Sequence, residues 1–171
     1  CVDNGMPLVA LLAKDFGLTG YESPEMLNGD QALKSRLESI RVELGPMMAL
    51  GDVADKAVPK MCLISPALHG GLINTRTFIP HKCHSAVGVL GAVSAATAAI
   101  IPGSVAEGLV NVPPGETKQI SVEHPSGEFS ISLEIDESGE LPEIKKAGVL
   151  RTARLLSRGV LFVPAPAKRG P

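Results

Sequence analysis

The chain has 171 residues, 44 % hydrophobic and 20 % charged, so it can bury one sizeable core and is not a disordered segment. A net charge of −2 leaves no footprint for nucleic acid or an anionic membrane, and 3 % aromatic residues without Trp give no base-stacking platform. No stretch qualifies as a membrane span; the nearest, Ala86 to Ile101, is short and rich in Ala and Gly.

The sequence opens Cys1-Val2-Asp3-Asn4-Gly5-Met6-Pro7, on Cys and not Met, and with no basic, apolar leader. This opening reads as the middle of a strand and turn. Processing or trimming is one explanation; the expectation preferred here is that an amino-terminal half precedes this chain. Cys1, Cys62 and Cys83 form no CxxC pair, which favours free thiols in a reducing, cytoplasmic setting.

Pro7 to Ala13 is a short apolar run that predicts a buried strand, and Gly17, Gly20 and Pro24 mark a loop. Asn28 or Asp30 can cap a helix with Leu33, Leu37, Ile40 and Leu44 on one stripe, stopped at Gly45-Pro46. Gly51 to Val58 reads as a loop and Lys60 to Ser65 as a strand, with a lone, solvent-facing Lys60 at its start. A turn at Gly70-Gly71 leads into a strand over Leu72 to Ile79.

A helix is expected from about Ser85 to Ile101. It contains no charged residue and many small ones, so it must be enclosed on all sides. Beyond Pro102-Gly103 the expected strands are Lys118 to Glu123, Glu128 to Asp136, Ile144 to Arg154 and Val160 to Val163. Turns at Pro125-Ser126-Gly127, Ser138-Gly139 and Arg158-Gly159 separate them. Pro164 to Pro171 reads as a frayed tail. The fold class is therefore α+β, a mostly antiparallel sheet wrapped around one buried helix, in a single domain.

Chemistry concentrates in Arg76 to Ser85, which runs from a strand into the expected helix start. Unpaired N–H groups and the macrodipole at such a start attract carboxylates or phosphates. Arg76, His81, Lys82 and His84 add donors or positive charge, and a thiol there, Cys83, would have its thiolate favoured. The plainer reading makes Ser85 a helix cap, Cys83 a small apolar residue and the histidines local hydrogen-bonders. His81, Cys83 and His84 lack metal-ligand spacing, so no metal is assigned. His124-Pro125-Ser126-Gly127 is a turn or a ligand loop, and Asn4-Gly5 a turn or a loop offering an amide.

Taken together, Cys1 to Val9, Gly20-Tyr21-Glu22, Ile40-Arg41, Leu50 to Val53, Val58-Pro59-Lys60, Ile79-Pro80-His81 and His124 to Gly127 resemble the second half of PrpF-type proteins. That family includes 2-methylaconitate cis–trans isomerases and 4-oxalomesaconate tautomerases. The resemblance implies a diaminopimelate epimerase-like fold of two lobes, each a sheet around a helix, with the active site between them. By the same likeness Asn4 matches a substrate-contacting Asn, Cys83 falls where epimerases carry their second catalytic cysteine, and Arg76 sits near a substrate-binding Arg. His124 to Gly127 match a glycine-containing strand turn. Lys82-Cys83-His84-Ser85 departs from the glycine-rich epimerase pattern, which leaves open a base from the other lobe.

The expected activity is a cofactor-independent proton shift on a small unsaturated polycarboxylate, with oxalomesaconate tautomerisation favoured over methylaconitate isomerisation. Cys83 and His84 would transfer protons. Asn4, Gly5, Arg76, His81, Ser85, His124, Ser126 and Gly127 would hold substrate. Expected partners are the substrate, the preceding lobe and, as an open alternative, a second copy of the chain; nucleic acid and membrane are not expected. A non-catalytic carboxylate-binding scaffold and an amino-acid epimerase remain as alternatives.

Overall fold

The computed structural model describes residues 1–139 and 141–162. Val2–Asp3 (β1), Pro7–Leu12 (β2), Lys60–Pro66 (β3), Ile73–Phe78 (β4), Thr117–His124 (β5), Gly127–Asp136 (β6) and Glu143–Val149 (β7) form one seven-stranded sheet in chain order. Four of the six pairings are antiparallel; β2–β3 and β4–β5 are parallel, so the sheet is mixed. The two parallel steps carry the crossovers: Pro24–Gly29 (α1) and Gln31–Met47 (α2) in the first, Val89–Ile100 (α3) in the second.

The crossovers explain the layering. β2 and β3 run one way and β4 and β5 the other, while both steps advance in the same direction across the sheet. Right-handed connections then place their helices on opposite faces. Alternate residues of the strands feed the two cores accordingly. Val9, Met61, Leu63 and Phe78 pack with Leu33 and Leu37 of α2, whereas Leu8, Cys62, Ile64 and Ile73 pack with the alanines of α3.

α3 touches β1, β2, β5, β6 and β7. Seven flat strands would span about 29 Å at about 4.8 Å per step, too far for one helix to reach both ends, so the sheet curls around α3. Gly91 to Ile100 are buried without exception. Ala96→Leu is expected to destabilise the domain by about 1–3 kcal/mol through overpacking, with urea unfolding as the measurement; an unchanged midpoint would show that the site has spare room.

Several expectations are corrected. α1 was not foreseen, although Ser23-Pro24 is a start signal: Ser23 Oγ accepts the Met26 N–H at 3.3 Å and Pro24 sits in the first turn. Asp30 is the cap of α2, accepting the Leu33 N–H at 2.9 Å. Gly45-Pro46 does not stop that helix, which runs on to Met47. A Cβ at Gly45 would lie 2.6 Å from Val53 Cγ1, so the glycine serves close packing, and its missing Cβ also relieves the steric conflict that precedes proline.

α3 begins at Val89, four residues later than expected, with Gly88 as an N-cap that offers no side chain. The chain first completes a bridge to β4, and His84 Nδ1 then accepts the Ala86 N–H at 2.9 Å, which holds a turn there. Enclosure is also incomplete: Val89 and Leu90 are 37 % and 49 % exposed. The expected strand Ile144 to Arg154 ends at Val149, and residues 160–162 form no strand; Val163 and the expected tail Pro164 to Pro171 lie outside the described residues. No helix among the described residues is long and apolar enough to cross a membrane.

Candidate functional site

Strand direction brings the predicted site segments to one edge of the sheet. β2, β3 and β6 begin there, and β4, β5 and β7 end there. That edge therefore carries Asn4-Gly5, Lys60, the segment after Phe78, the start of α3 and the His124–Gly127 turn. The edge is stepped, because β4 and β5 pair only at Ile73–Val122 and Asn74–Glu123. The place beside β4 that β5 leaves vacant is taken by Cys83, which bridges Phe78, and by His84, whose N–H donates to Thr77 O at 2.8 Å. His84 and His124 thus follow one another along the same side of β4, flanking Arg76 in register.

The start of α3 is electrostatically open. Ala92 N–H is bonded to Gly88 O at 2.8 Å, but the N–H groups of Val89, Leu90 and Gly91 have no partner among the described residues. The helix start lies here, not at Ser85 as expected. The displacement follows from the late helix boundary.

Arg76 is 6 % exposed. Its Nε donates to Glu22 O at 2.7 Å, and Nη1 donates to Asn74 Oδ1 at 2.8 Å and Thr75 O at 2.9 Å. Burial lowers its pKa, against the opposing influence of Cys83, Glu22 and Tyr21. No carboxylate pairs with it among the described residues. Arg41, the other buried arginine, has both Glu38 oxygens at 2.7 Å. A buried guanidinium without a counter-ion leaves positive charge available to an anionic ligand.

Cys83 does not behave as expected. Its thiol is buried and pushed up to about 11, chiefly by desolvation, with Arg76 opposing and Glu25 reinforcing the shift. It therefore stays protonated at neutral pH, and the favoured thiolate expected from a helix start is absent because no helix starts there. Its N–H donates to Asn28 Oδ1 at 2.7 Å. A cavity of about 480 Å³ lies beside it, walled by Glu25 and Asn28 of α1 and by Lys82, Cys83, His84 and Ser85. Because His84 Nδ1 accepts a backbone N–H, the neutral ring carries its proton on Nε2.

The remaining residues spread out. His81 turns to α2, where its Nδ1 is 3.4 Å from Glu38 Oε2. Asn4 ties its loop to α3: its N–H donates to Ser94 Oγ at 3.3 Å and its Nδ2 to Thr97 Oγ1 at 2.9 Å. Gly5 has φ +86°, which an L side chain rarely adopts, and faces Leu90. His124 is held below its usual pKa, first by burial and also by nearby His84 and Arg76, against a hydrogen bond with the Glu128 backbone. Its Nδ1 is 3.3 Å from both Ser126 N and Ser126 Oγ. Gly127 joins His124 on a second cavity of about 400 Å³ with Glu123 and His69. Lys60 is half-buried, not solvent-facing; its Nζ donates to Ala57 O at 2.6 Å, and burial, then Arg41, lowers its pKa.

Sequence reasoning gave no such role to Asn28, Asn74 and Glu22, which hold the Cys83 and Arg76 segments. Only the Ser23-Pro24 signal could have exposed the first, by predicting α1. Among the described residues no three His, Cys, Asp or Glu side chains gather into a metal-binding group.

The chain resembles known proteins over its whole length. It is 53 % identical over all 171 residues to a 4-oxalomesaconate tautomerase of Pseudomonas putida, covering 46 % of that protein. It is 50 % identical over 162 residues to a (4E)-oxalomesaconate Delta-isomerase of Novosphingobium sp., covering 95 % of this chain and 44 % of that protein. The chain thus spans about half the length of the curated relatives it matches. The crystal structure of a methylitaconate-delta-isomerase superposes with a TM-score of 0.66 at 18 % identity, over 84 % of this chain and 43 % of that one, a likeness of fold. A family model described as PrpF protein matches residues 1–164, and the chain belongs to the PrpF family.

Proposed function

We propose that this chain is the carboxy-terminal lobe of a two-lobed isomerase with a diaminopimelate epimerase-like plan, α3 being its central helix. The reaction is a cofactor-independent proton shift on a small unsaturated polycarboxylate, with 4-oxalomesaconate as the preferred substrate. One observation carries the reading. The unpartnered N–H groups of α3, the uncompensated Arg76 and the His84–His124 pair share one sheet edge, which also carries the exposed Val89 and Leu90. The 53 % and 50 % identities favour oxalomesaconate over methylaconitate.

In this reading a substrate carboxylate sits on the N–H groups of Val89, Leu90 and Gly91, and Arg76 supplies counter-charge. A proton leaves the carbon next to the carbonyl or conjugated carboxylate, and the electron pair moves onto oxygen. The proton then returns to that oxygen, giving the tautomer, or to another carbon, giving the isomer. His84, with its tautomer fixed, transfers the proton on this side, and a residue of the other lobe completes the pair. Held carboxylates and fixed donors suffice for such a step without an electron-sink cofactor. Cys83, protonated and tied to Asn28, does not favour a thiolate-based amino-acid epimerase.

The test is turnover of 4-oxalomesaconate by this chain and by the full-length protein. The full-length protein is expected to be active and the isolated chain inactive. Full activity of the isolated chain would overturn the two-lobed reading.

A further inference from the structure

The two buried arginines are held by opposite kinds of partner. Arg41 faces a carboxylate, with its Nε 2.7 Å from Glu38 Oε2. Arg76 faces only neutral acceptors: the backbone carbonyls of Glu22 and Thr75 and the side-chain oxygen of Asn74, all within 2.9 Å. A carboxylate is at hand in the same loop, but its own turn takes it up. The Glu22 carboxylate accepts from Thr19 N–H, Thr19 Oγ1 and Gly20 N–H, so Glu22 offers Arg76 its carbonyl and not its charge.

Packing fixes this arrangement. Asn74 and Ser65 are register partners on β4 and β3, and Arg76 lies two residues along β4 on the same face. A Cβ at Gly20 would collide with the Ser65 side chain, so glycine there lets the loop settle low enough for Glu22 O to reach Arg76. Arg76 Nη2 has no hydrogen-bond partner among the described residues, and neither has Asn74 Nδ2. Of the side-chain N and O atoms shut off from solvent among those residues, only Ser65 Oγ is unpaired. Nη2 is therefore within reach of solvent. Cys83 and His124, whose pKa values burial shifts first, both also respond to the Arg76 charge, which places it beside the candidate site.

We infer that Asn74 is a positioning residue that keeps Arg76 uncompensated: its neutral amide fixes the guanidinium through Nη1 and leaves Nη2 and the positive charge to a substrate carboxylate. The inference rests on the substrate site proposed above and deepens it. A carboxylate at position 74 would satisfy the guanidinium from within, and a ligand carboxylate would have to compete with it.

Asn74→Asp makes that exchange with almost no change of shape. It replaces Nδ2, which donates to no described residue, by an oxygen, next to the unpaired Ser65 hydroxyl. In the full-length protein, Kd and KM for 4-oxalomesaconate are expected to rise about 10- to 100-fold, the effect of one charge-assisted hydrogen bond, with a smaller change in kcat. Thermal stability is expected to be kept. Asn74→Ser, smaller but neutral, is expected to lose stability yet hold Kd within about threefold. A merely structural Asn74 would give the reverse ranking, with serine the more damaging to Kd. That ranking, a Kd that aspartate leaves unchanged, or an aspartate variant that unfolds more readily than the serine one would overturn the inference and leave the proposed function standing. The expected ranking of Kd in a protein that does not turn 4-oxalomesaconate over would sustain the inference and sink the proposed function. No binding by the wild-type protein would overturn both.

Discussion

Arg41→Ala is expected to destabilise the domain by about 3–5 kcal/mol, the range for breaking a buried charge network. Arg41 is fully buried on α2 and donates to both Glu38 oxygens. It also donates to the carbonyls of Val53, Lys56 and Val58 at 2.8–2.9 Å and to Ala54 O at 3.3 Å. One side chain thus gathers the loop between α2 and β3, and alanine would leave those carbonyls unpaired beside a cavity. Lysine is expected to recover less than half of the loss, because it lacks the planar fork. Urea unfolding supplies the number, and hydrogen exchange across residues 53–58 shows whether the loop is what fails. A loss below about 1 kcal/mol would mean that the loop holds itself.

The Glu38 carboxyl gives this network a pH signature. The Arg41 hydrogen bonds lower its pKa, partly offset by burial and reinforced by the charges of Arg41 and His81. A carboxyl lower in the folded than in the unfolded state stabilises fully above its unfolded pKa, and that contribution fades as pH falls through the folded one. The stability gap between wild type and Arg41→Ala is therefore expected to narrow on acidification below the ordinary glutamate range, while the part carried by the backbone carbonyls remains.

His84→Ala in the full-length protein is expected to lower kcat about 10²–10⁴-fold, the usual worth of a positioned acid–base group. Cys83→Ser should cost less than about tenfold, since a thiol held near 11 contributes little thiolate at neutral pH. The pair of variants separates the two proton-transfer assignments made from sequence. The opposite ranking would return the role to Cys83 and require the other lobe to lower its pKa. Arg76→Ala belongs in the same series but is harder to interpret, because its Nε and Nη1 also brace Glu22, Asn74 and Thr75.

Strong periodicity made much of the fold legible. The stripe Leu33, Leu37, Ile40 and Leu44 identified α2, and an uncharged run of small residues marked α3, in which Gly91 to Ile100 are buried. The parallel pairings were not legible, because short apolar runs such as Lys60 to Ser65 say nothing about strand direction. Gly45 misled for a related reason: a glycine under Val53 and a glycine ending a helix look alike in sequence.

The candidate site was legible as a set of segments but not as a geometry. Arg76, His84 and His124 were singled out and do share an edge. The start of α3 was expected four residues early, next to Cys83 and His81, which the structure places respectively against Asn28 and beside Glu38. No local signal marks that boundary: Ser85 looks like a cap, whereas the actual cap, Gly88, offers no side chain. Two of the residues that hold the segments, Asn28 and Glu22, come from a short helix and a loop distant in sequence, and pairing at such range leaves no trace in a single sequence.

The most direct measurement of the central claim is backbone-amide NMR of the 171-residue chain titrated with 4-oxalomesaconate. Weak binding without turnover is expected, with the largest shifts at Val89, Leu90 and Gly91 and smaller ones at His84 and His124. Shifts confined to the separate groove on α2, lined by Lys34, Glu38 and His81, or no shifts at millimolar ligand, would contradict the assignment of this sheet edge as the substrate site.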